Sequence, residues 1–217
     1  MRQTTLKNRT GWMIAASTML FCMALGTTPS QAADRVVVVP LGQSGAPVAK
    51  TGQTTLYLPG DDGDLEKGVG MSGRFKDNGN GTVTDGLTGL IWLKKGNCFG
   101  FYYLDPNGIL GANERSWANA ITAANNLANG YCELLDGSKA GDWRLPNRKE
   151  LDSLLDLGRS YPALPVGCPL TNFGSFWSST TNAAGTGKAW LVDLQSGDVF
   201  NDLKPNTYYV RAVRGGQ

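Results

Sequence analysis

The amino-acid sequence predicts an α+β domain in which two helices pack on antiparallel strands. A glycine-rich hairpin sequence lies at 77–85, two amphipathic segments follow at 115–130 and 147–155, and strand-like alternation fills the C-terminal part. Strands therefore come first and last, with helices between them, which favours segregated helices and sheets over a regular βαβ alternation. We expect one compact domain over 74–217.

Residues 1–32 have the pattern of a secretory signal peptide. Arg2, Lys7 and Arg9 form a basic start, an apolar run follows at 12–25, and small residues lead to a cleavage site after Ala32. The run is short and interrupted by polar residues, so we expect no membrane span once the signal is cleaved; an uncleaved anchor is the alternative. The expected location is the periplasm, the cell surface or the extracellular space.

Charge and composition narrow the function classes. The whole chain has 20 Lys and Arg against 18 Asp and Glu, and three of the basic residues belong to the leader, so the mature chain is nearly neutral. This balance does not predict a nucleic-acid binder. The chain has no histidine, which removes the commonest general base and excludes Ser–His and Cys–His nucleophiles. We therefore expect no enzyme activity, no catalytic residue and no cofactor.

Residues 33–73 are expected to form an extended segment before the domain, with one strand at 36–39. The acidic stretch at 61–64 could offer oxygens to calcium, but it lacks the length and the distal glutamate of an EF-hand loop, and a solvated turn is the favoured interpretation.

The domain begins with a hairpin. Two Asn-Gly steps, ending at Gly79 and Gly81, supply residues that tolerate positive φ, and a buried strand at 89–93 follows. Asp77, Asn80 and Asp85 carry oxygens that could hold calcium, although a tight turn explains the same residues without a metal.

Two helices follow the hairpin. The segment 115–130 carries a continuous apolar face and is closed by Gly130; the face consists of Trp117, Ala120, Ile121, Ala124 and Leu127. In the second helix, Asn147 and Glu150 have the spacing of a capping box. Three leucines then repeat at helical spacing until Gly158 ends the helix; they are Leu151, Leu154 and Leu155.

The rest of the chain is predicted to be strands and one long loop. Strands are expected at 176–181, 189–194, 199–200 and 208–213. The irregular segment at 158–175 is a candidate functional loop, since binding residues often lie on loops over a rigid scaffold.

Three cysteines remain in an exported chain: Cys98, Cys132 and Cys168. One disulfide and one odd thiol are the simplest expectation in an oxidising compartment. We favour the pair Cys98–Cys132, which would join the end of an early strand to the loop after the first helix. Cys168 could instead pair with either partner or between chains, which would give a homo-oligomer.

The longest motifs resemble a known family. They are Phe75-x-Asp77-Asn78-Gly79-x-Gly81-Thr82-Val83-Thr84-Asp85, Gly141-Asp142-Trp143-Arg144-Leu145-Pro146-Asn147-x-x-Glu150-Leu151, Trp177-Ser178-Ser179-Thr180 and Val210-Arg211-x-Val213-Arg214-Gly215-Gly216. In this order, over 74–216, they resemble the Lcl C-terminal domain family, which is named for a bacterial collagen-like adhesin and is itself a domain of unknown function. The resemblance implies a C-type-lectin-like fold, shared with relatives of formylglycine-generating enzyme.

The naming adhesin binds sulfated glycosaminoglycans, so the resemblance implies ligand binding at the cell surface. Two differences between this sequence and the proteins it resembles limit what the resemblance implies about the ligand. No Glu-Pro-Asn triplet occurs, and Trp177 is followed by two serines, so the calcium-bridged sugar site of lectins is not carried over. The adhesin's collagen-like repeat is also absent.

An acidic glycan would need cations and an aromatic platform. The candidate ligand-binding residues are Arg148, Lys149, Lys188, Arg211, Arg214 and Trp177. Arginine suits sulfate because its planar fork pairs with two oxygens at once. The leading hypothesis is an exported, non-catalytic binding or adhesion module for glycans. The alternatives are a structural or assembly domain of the cell envelope without a small ligand and, third, a cryptic enzyme of the formylglycine-generating group.

Overall fold

The structure is a computed structural model that describes residues 48–98 and 114–215; the predicted leader at 1–32 and the strand at 36–39 lie outside them. The elements follow in chain order as α1 (Asp62–Leu65), β1 (Phe75–Asp77), β2 (Thr82–Asp85), β3 (Leu90–Leu93), α2 (Trp117–Asn125), α3 (Arg148–Asp152), β4 (Ser175–Thr181), β5 (Lys188–Asp193), β6 (Val199–Leu203) and β7 (Val213–Gly215). The fold is α+β, as predicted.

The strands form two antiparallel sheets. One has the order β1-β2-β3-β7, and the other has the order β4-β5-β6. The first and last strands of the domain therefore share one sheet. Helix α2 packs against β4, and α3 packs against β4 and β5.

The predicted hairpin is confirmed. Strands β1 and β2 pair antiparallel, with Phe75 opposite Asp85. Gly79 and Gly81 have φ values of 72° and 84°, as the Asn-Gly steps predict. Gly81 is needed for a second reason, because a Cβ there would lie 2.4 Å from the carbonyl oxygen of Glu133.

Helix α2 is shorter than the predicted segment 115–130, but its buried face is the predicted one. Ala120, Ala124 and Leu127 are all buried. The helix ends at Asn125, and the N–H of Leu127 then bonds to the carbonyl of Ala124 at 3.2 Å, which is the tighter 3₁₀ pattern. Leu127 thus reaches the core from a turn beyond the helix.

Helix α3 begins with the predicted capping box. Asn147 Oδ1 accepts from the N–H of Glu150 at 2.9 Å, and Glu150 Oε2 accepts from the N–H of Asn147 at 2.7 Å. The helix ends at Asp152 rather than near Gly158, so the predicted length is wrong. Leu154 already bonds back in a three-residue turn, to the carbonyl of Leu151. All three leucines of the pattern are nevertheless buried.

The predicted strand at 208–213 is wrong for a topological reason. This segment runs between the two sheets, so its backbone partners alternate. The carbonyl of Tyr209 accepts from the N–H of Trp177 in the second sheet, and the carbonyl of Ala212 accepts from the N–H of Leu93 in the first. A regular strand begins only at Val213.

The interior contains two apolar clusters. The first gathers Trp92, Phe176 and the leucines around α3, and the second gathers Trp143, Trp177 and the inner face of α2. The segment between the sheets contributes to both clusters through Val213 and Val210 respectively.

The predicted disulfide is confirmed. Cys98 and Cys132 are bonded, with their Cα atoms 5.4 Å apart, and this joins the segment after β3 to the loop after α2. Cys168 is a free, partly buried thiol whose pKa is raised by burial.

The N-terminal segment, residues 48–73, lies against the domain through backbone bonds. The N–H of Leu157 in the domain bonds to the carbonyl of Thr51, whereas the bond from the N–H of Lys50 to the carbonyl of Val69 holds the segment to itself. The carboxylate of Asp61 accepts the N–H groups of Tyr57, Asp64 and Leu58, which lowers its pKa and caps α1. Over the described residues, no helix has the length and apolar character needed to cross a membrane.

Candidate functional site

Asp85, one of the three calcium candidates, is committed to a buried ion pair. Its carboxylate accepts from Arg74 Nε at 2.7 Å and Nη2 at 2.6 Å, from Thr88 Oγ1 at 2.6 Å, and from the N–H of Leu87 at 2.9 Å. Burial alone would raise the pKa of Asp85, but these donors outweigh it and hold the pKa below its usual value. Asp85 has a structural role in place of the metal role suggested for it.

The other two calcium candidates stabilise the hairpin turn. Asp77 forms a salt bridge with Lys94 at 2.6 Å and accepts the N–H of Gly79, and Asn80 Oδ1 accepts the hydroxyl of Thr82 at 2.7 Å. Over 48–98 and 114–215, no three Asp, Glu or Cys side chains converge in a group that could hold a metal ion. The oxygens of Asp77, Asn80 and Asp85 are each engaged in contacts within the fold.

Arg211 was predicted to bind a ligand, and the structure corrects this. Its side chain is completely buried. The guanidinium donates to four carbonyl oxygens, at 2.7–3.0 Å; they belong to Leu93, Lys94, Thr171 and Asn172. It also lies 4.9 Å from the ring centre of Phe176. Burial lowers the pKa of Arg211 to about 10, so the group remains charged at neutral pH. No surface of Arg211 is left for a ligand.

Trp177, another predicted ligand-binding residue, does not lie on the protein surface. The residue is fully buried, and its Nε1 donates to the carbonyl of Arg115 at 2.8 Å. Its ring meets Tyr208 edge-to-face, with centroids 5.0 Å apart. A sugar ring cannot stack on a side chain that is enclosed on all sides.

Arg214 is a partly exposed residue with an internal role. Its guanidinium lies 4.9 Å from the ring centre of Trp143 and forms a salt bridge with Asp136 at 3.1 Å. Arg144 forms a two-pronged salt bridge with Glu150 instead, at 2.8 and 2.6 Å. The basic residue that covers Trp143 is therefore the distant Arg214, not its neighbour Arg144.

Two of the predicted cations, Arg148 and Lys188, meet on one face of the second sheet. Lys188 and Trp190 lie two residues apart on β5, so their side chains point to the same face. Strand β6 places Leu203 opposite Lys188 and Asn201 opposite Trp190. We call this surface, made of Arg148, Lys188, Trp190, Asn201 and Leu203, the Trp190 face.

Arg148 reaches the Trp190 face from the start of α3. Its backbone N–H bonds to Thr180 Oγ1 at 3.0 Å, which ties the first turn of the helix to β4. Its guanidinium carbon lies 4.3 Å from the ring centre of Trp190, within the range of a cation–π interaction. Trp190 is partly exposed, whereas Trp92, Trp143 and Trp177 are buried.

The basic side chains of the described residues differ in whether they form a salt bridge. Six basic side chains in the described residues form salt bridges with carboxylates: Lys50, Arg74, Lys94, Lys95, Arg144 and Arg214. Arg148 and Lys188 form none within the same residues. Lys188 is exposed. The pKa of Asp202 is lowered mainly by hydrogen bonds from Tyr208 and Asn206, and the charge of Lys188 adds to this shift. The face is thus a local positive surface on a nearly neutral domain.

Lys149 is not part of this face. It lines a groove of about 430 Å³ together with Asp152 and Thr51, on the side of α3 that meets the N-terminal segment. Its neighbour in sequence, Arg148, points elsewhere because successive helical residues are rotated by about 100°.

Trp190 and Asn201 complete the face, and neither was among the predicted site residues. The available signal was the strand alternation itself, which places Lys188 and Trp190 on one side of β5. The pairing of β5 with β6 was needed to add Asn201, since register is not readable from one strand.

Comparison with known proteins identifies the domain type. The family model of the Lcl C-terminal domain matches residues 81–214, which is more than half of the chain. The match includes strand β2, the helices α2 and α3, and the Trp190 face. No curated protein matched the sequence.

Proposed function

Because this chain belongs to the Lcl C-terminal domain family, we propose that it is an exported, non-catalytic binding module for acidic glycans. The C-type-lectin-like character of the fold and the location outside the cytoplasm are parts of the same proposal. The disulfide Cys98–Cys132 supports export, because such bonds persist in oxidising compartments.

One observation supports the site most directly: the Arg148 guanidinium stacked 4.3 Å from the ring centre of partly exposed Trp190. Stacking orients the guanidinium while leaving its N–H groups without a carboxylate partner among the described residues. Such a group can donate two parallel hydrogen bonds to a sulfate or carboxylate. The partly exposed indole can pack on the apolar face of a sugar ring, and Lys188 adds a second charge on the same face.

The shape of the face agrees with a chain-like ligand. It is an open sheet surface rather than a closed cavity, and Leu203, which is half exposed, provides an apolar neighbour to the two cations. A polymer could therefore lie across β5 and β6, with anionic groups near Arg148 and Lys188.

The test is titration calorimetry with a heparin-type hexasaccharide at low and high salt. The double variant Arg148→Ala, Lys188→Ala should weaken binding at least tenfold, since charge-assisted hydrogen bonds and a stacked platform are both lost. The double variant Lys76→Ala, Lys139→Ala, at two exposed lysines outside the Trp190 face, is the charge-matched control and should leave the affinity unchanged. If neither heparin-type nor other acidic glycans bind, the proposal is wrong.

A second candidate, an assembly domain of the envelope, is favoured by the N-terminal segment. Leu56, Tyr57 and Leu58 are 54%, 81% and 69% exposed, and such consecutive apolar exposure is typical of protein contacts. Sedimentation of the wild type and of Tyr57→Ser separates the candidates: self-association that Tyr57→Ser abolishes supports assembly. A nonreducing gel would detect covalent dimers through Cys168.

A further inference from the structure

A second concave surface lies at the far end of β5 from Lys188. It is a cleft of about 730 Å³, bounded by the start of β4, the end of β5 and the segment that runs between the two sheets. We call it the Tyr209 cleft, and its principal lining residues are Glu114, Phe173, Ser175, Asp193, Gln195 and Tyr209. Its volume falls in the range of small-ligand sites.

The aromatic wall of the cleft is held rigidly. Gly174 allows the Tyr209 ring to lie directly on the backbone, because a Cβ there would be 2.7 Å from a ring carbon. The N–H of Tyr209 bonds to the carbonyl of Ser175 at 3.0 Å, and its ring meets Phe176 edge-to-face at 5.6 Å. Phe173 is 37% exposed beside it. A ligand would thus meet a preformed apolar surface.

Some polar groups of the cleft already have hydrogen-bond partners within the fold, and others are available to a ligand. The carboxylate of Asp193 accepts the Ser175 hydroxyl at 2.6 Å and the N–H groups of Gln195 and Ser196 at 2.7 and 3.0 Å. Its hydrogen-bonding capacity is therefore largely used within the fold. The side-chain amide of Gln195 is exposed and has no partner among the described residues, so it offers both a donor and an acceptor.

Charge selects the ligand class. Among the described residues that line the cleft there are two carboxylates, Glu114 and Asp193, and no lysine or arginine. An anionic ligand would be repelled. A cationic ligand would find a single available counter-charge, Glu114, which is only weakly bonded to Thr207 at 3.3 Å, because the hydrogen-bonding capacity of Asp193 is largely used within the fold. A ligand rich in hydroxyl groups matches the mixture of aromatic surface, amide and carboxylate acceptors.

We propose that the Tyr209 cleft binds an uncharged carbohydrate chain, with one sugar ring against Phe173 and Tyr209 and its hydroxyl groups bonded to Gln195 and Glu114. This site is separate from the Trp190 face and does not depend on the function proposed for that face. The domain would then hold two glycan types, an acidic chain on one surface and a neutral chain in the cleft.

The test uses the fully N-acetylated chitohexaose, cellohexaose and maltohexaose as uncharged probes, with spermine as a cationic probe. Binding is followed by calorimetry and by amide chemical shifts of the isotope-labelled protein. We expect at least one hexasaccharide to shift the amides of Gly174 and Gln195. Gln195→Ala and Phe173→Ala should each weaken that binding roughly fivefold to tenfold, through a lost hydrogen bond and a lost ring contact. Gln53→Ala, an exposed glutamine in the N-terminal segment, is the matched control.

Each outcome bears on one proposal. No binding of any uncharged hexasaccharide, binding of spermine alone, or binding indifferent to both cleft variants would overturn the inference. Arg148→Ala measured with the same probes separates the two sites: it should reduce heparin-type binding while the neutral probe still binds the cleft. Loss of both by Arg148→Ala would show that the cleft is not an independent site.

Discussion

Arg211 Nη1 donates a 2.8 Å hydrogen bond to the carbonyl oxygen of Leu93, which lies 118 residues earlier in the chain. The same guanidinium reaches Thr171 and Asn172 through Nη2, at 2.7 and 2.9 Å. It therefore joins the end of β3 to the loop before β4. The buried guanidinium bonds only to carbonyl oxygens, and these lie in two different segments, so it links both. A salt bridge to a single carboxylate would have linked it to one segment only.

Arg211→Lys should destabilise the domain by about 2–4 kcal/mol, since one ammonium cannot satisfy four carbonyl oxygens at once. Urea denaturation measures the loss. Hydrogen exchange should also accelerate at the N–H of Gly96, which bonds to the carbonyl of Thr171 at 3.2 Å. Arg159→Lys, at an exposed position, serves as the control. An Arg211→Lys protein within about 0.5 kcal/mol of wild type would refute the structural role.

Asp85→Asn should cost about 3–5 kcal/mol, because it leaves the buried Arg74 guanidinium without its counter-charge. The matched control is Asp77→Asn, which breaks the exposed, solvent-screened salt bridge with Lys94 and should destabilise the protein far less. Comparable losses for the two variants in equilibrium unfolding would show that burial does not set the strength of the Asp85 pair.

The contribution of Asp85 to stability should also depend on pH. The pKa of Asp85 is lowered in the folded state, so the unfolded chain takes up the proton first as the pH falls. The stabilisation is then fully present above the unfolded pKa of about 3.9 and is lost as the pH drops through the folded value. The difference in unfolding free energy between wild type and Asp85→Asn should shrink below about pH 4. A difference that stays constant or widens in acid would contradict this.

Removing the disulfide with Cys98→Ser and Cys132→Ser should destabilise the protein by about 3–4 kcal/mol in the chain-entropy model, since the bond closes a loop with a sequence separation of 34. Thermal or urea unfolding measures the effect. Cys168→Ser is the control, because that thiol forms no bond, and its effect should be small by comparison. Reversed effects would mean that Cys168 is the structural cysteine.

The stacking of Arg148 on Trp190 predicts an effect on glycan affinity that the charge of Arg148 alone does not predict. Arg148→Lys keeps the positive charge but loses the planar group stacked on Trp190, so heparin-type binding should weaken several-fold with an unchanged salt dependence. Arg148→Ala should reduce the salt dependence as well, since one ionic contact is gone. Calorimetry over a salt series measures both. Equal salt dependence of heparin-type binding in the wild type and in Arg148→Ala would show that Arg148 makes no ionic contact with the glycan.

Local features of the fold were predictable from sequence. The capping box of Asn147 and Glu150 depends on groups three residues apart, and the glycine turn at 79–81 depends on φ values that few other residues adopt. Helix lengths were less predictable. Leu154 and Leu155 are buried as their spacing suggests, but from a turn after α3 rather than from the helix.

The candidate site shows the limit of such patterns. Arg211, between Val210 and Ala212, and Arg148, between Asn147 and Lys149, were both predicted from sequence to bind a ligand. One is enclosed between two sheets, and the other lies on the outer face of β5 over Trp190. The environment of each arginine depends on contacts with strands that lie more than 30 residues away in the sequence. For example, the N–H of Arg148 bonds to the hydroxyl of Thr180, 32 residues later.

The sequence by itself determined the α+β class, the family and the hairpin, because short-range backbone preferences and residue spacing carry that information, and it favoured the disulfide without excluding other cysteine pairs. Only the tertiary structure decided which cations are free and which concave surface is open. Exposure and pairing arise when distant segments pack: the guanidinium of Arg148 lies over a partly exposed indole, whereas that of Arg211 is a structural link because it is buried among four carbonyls.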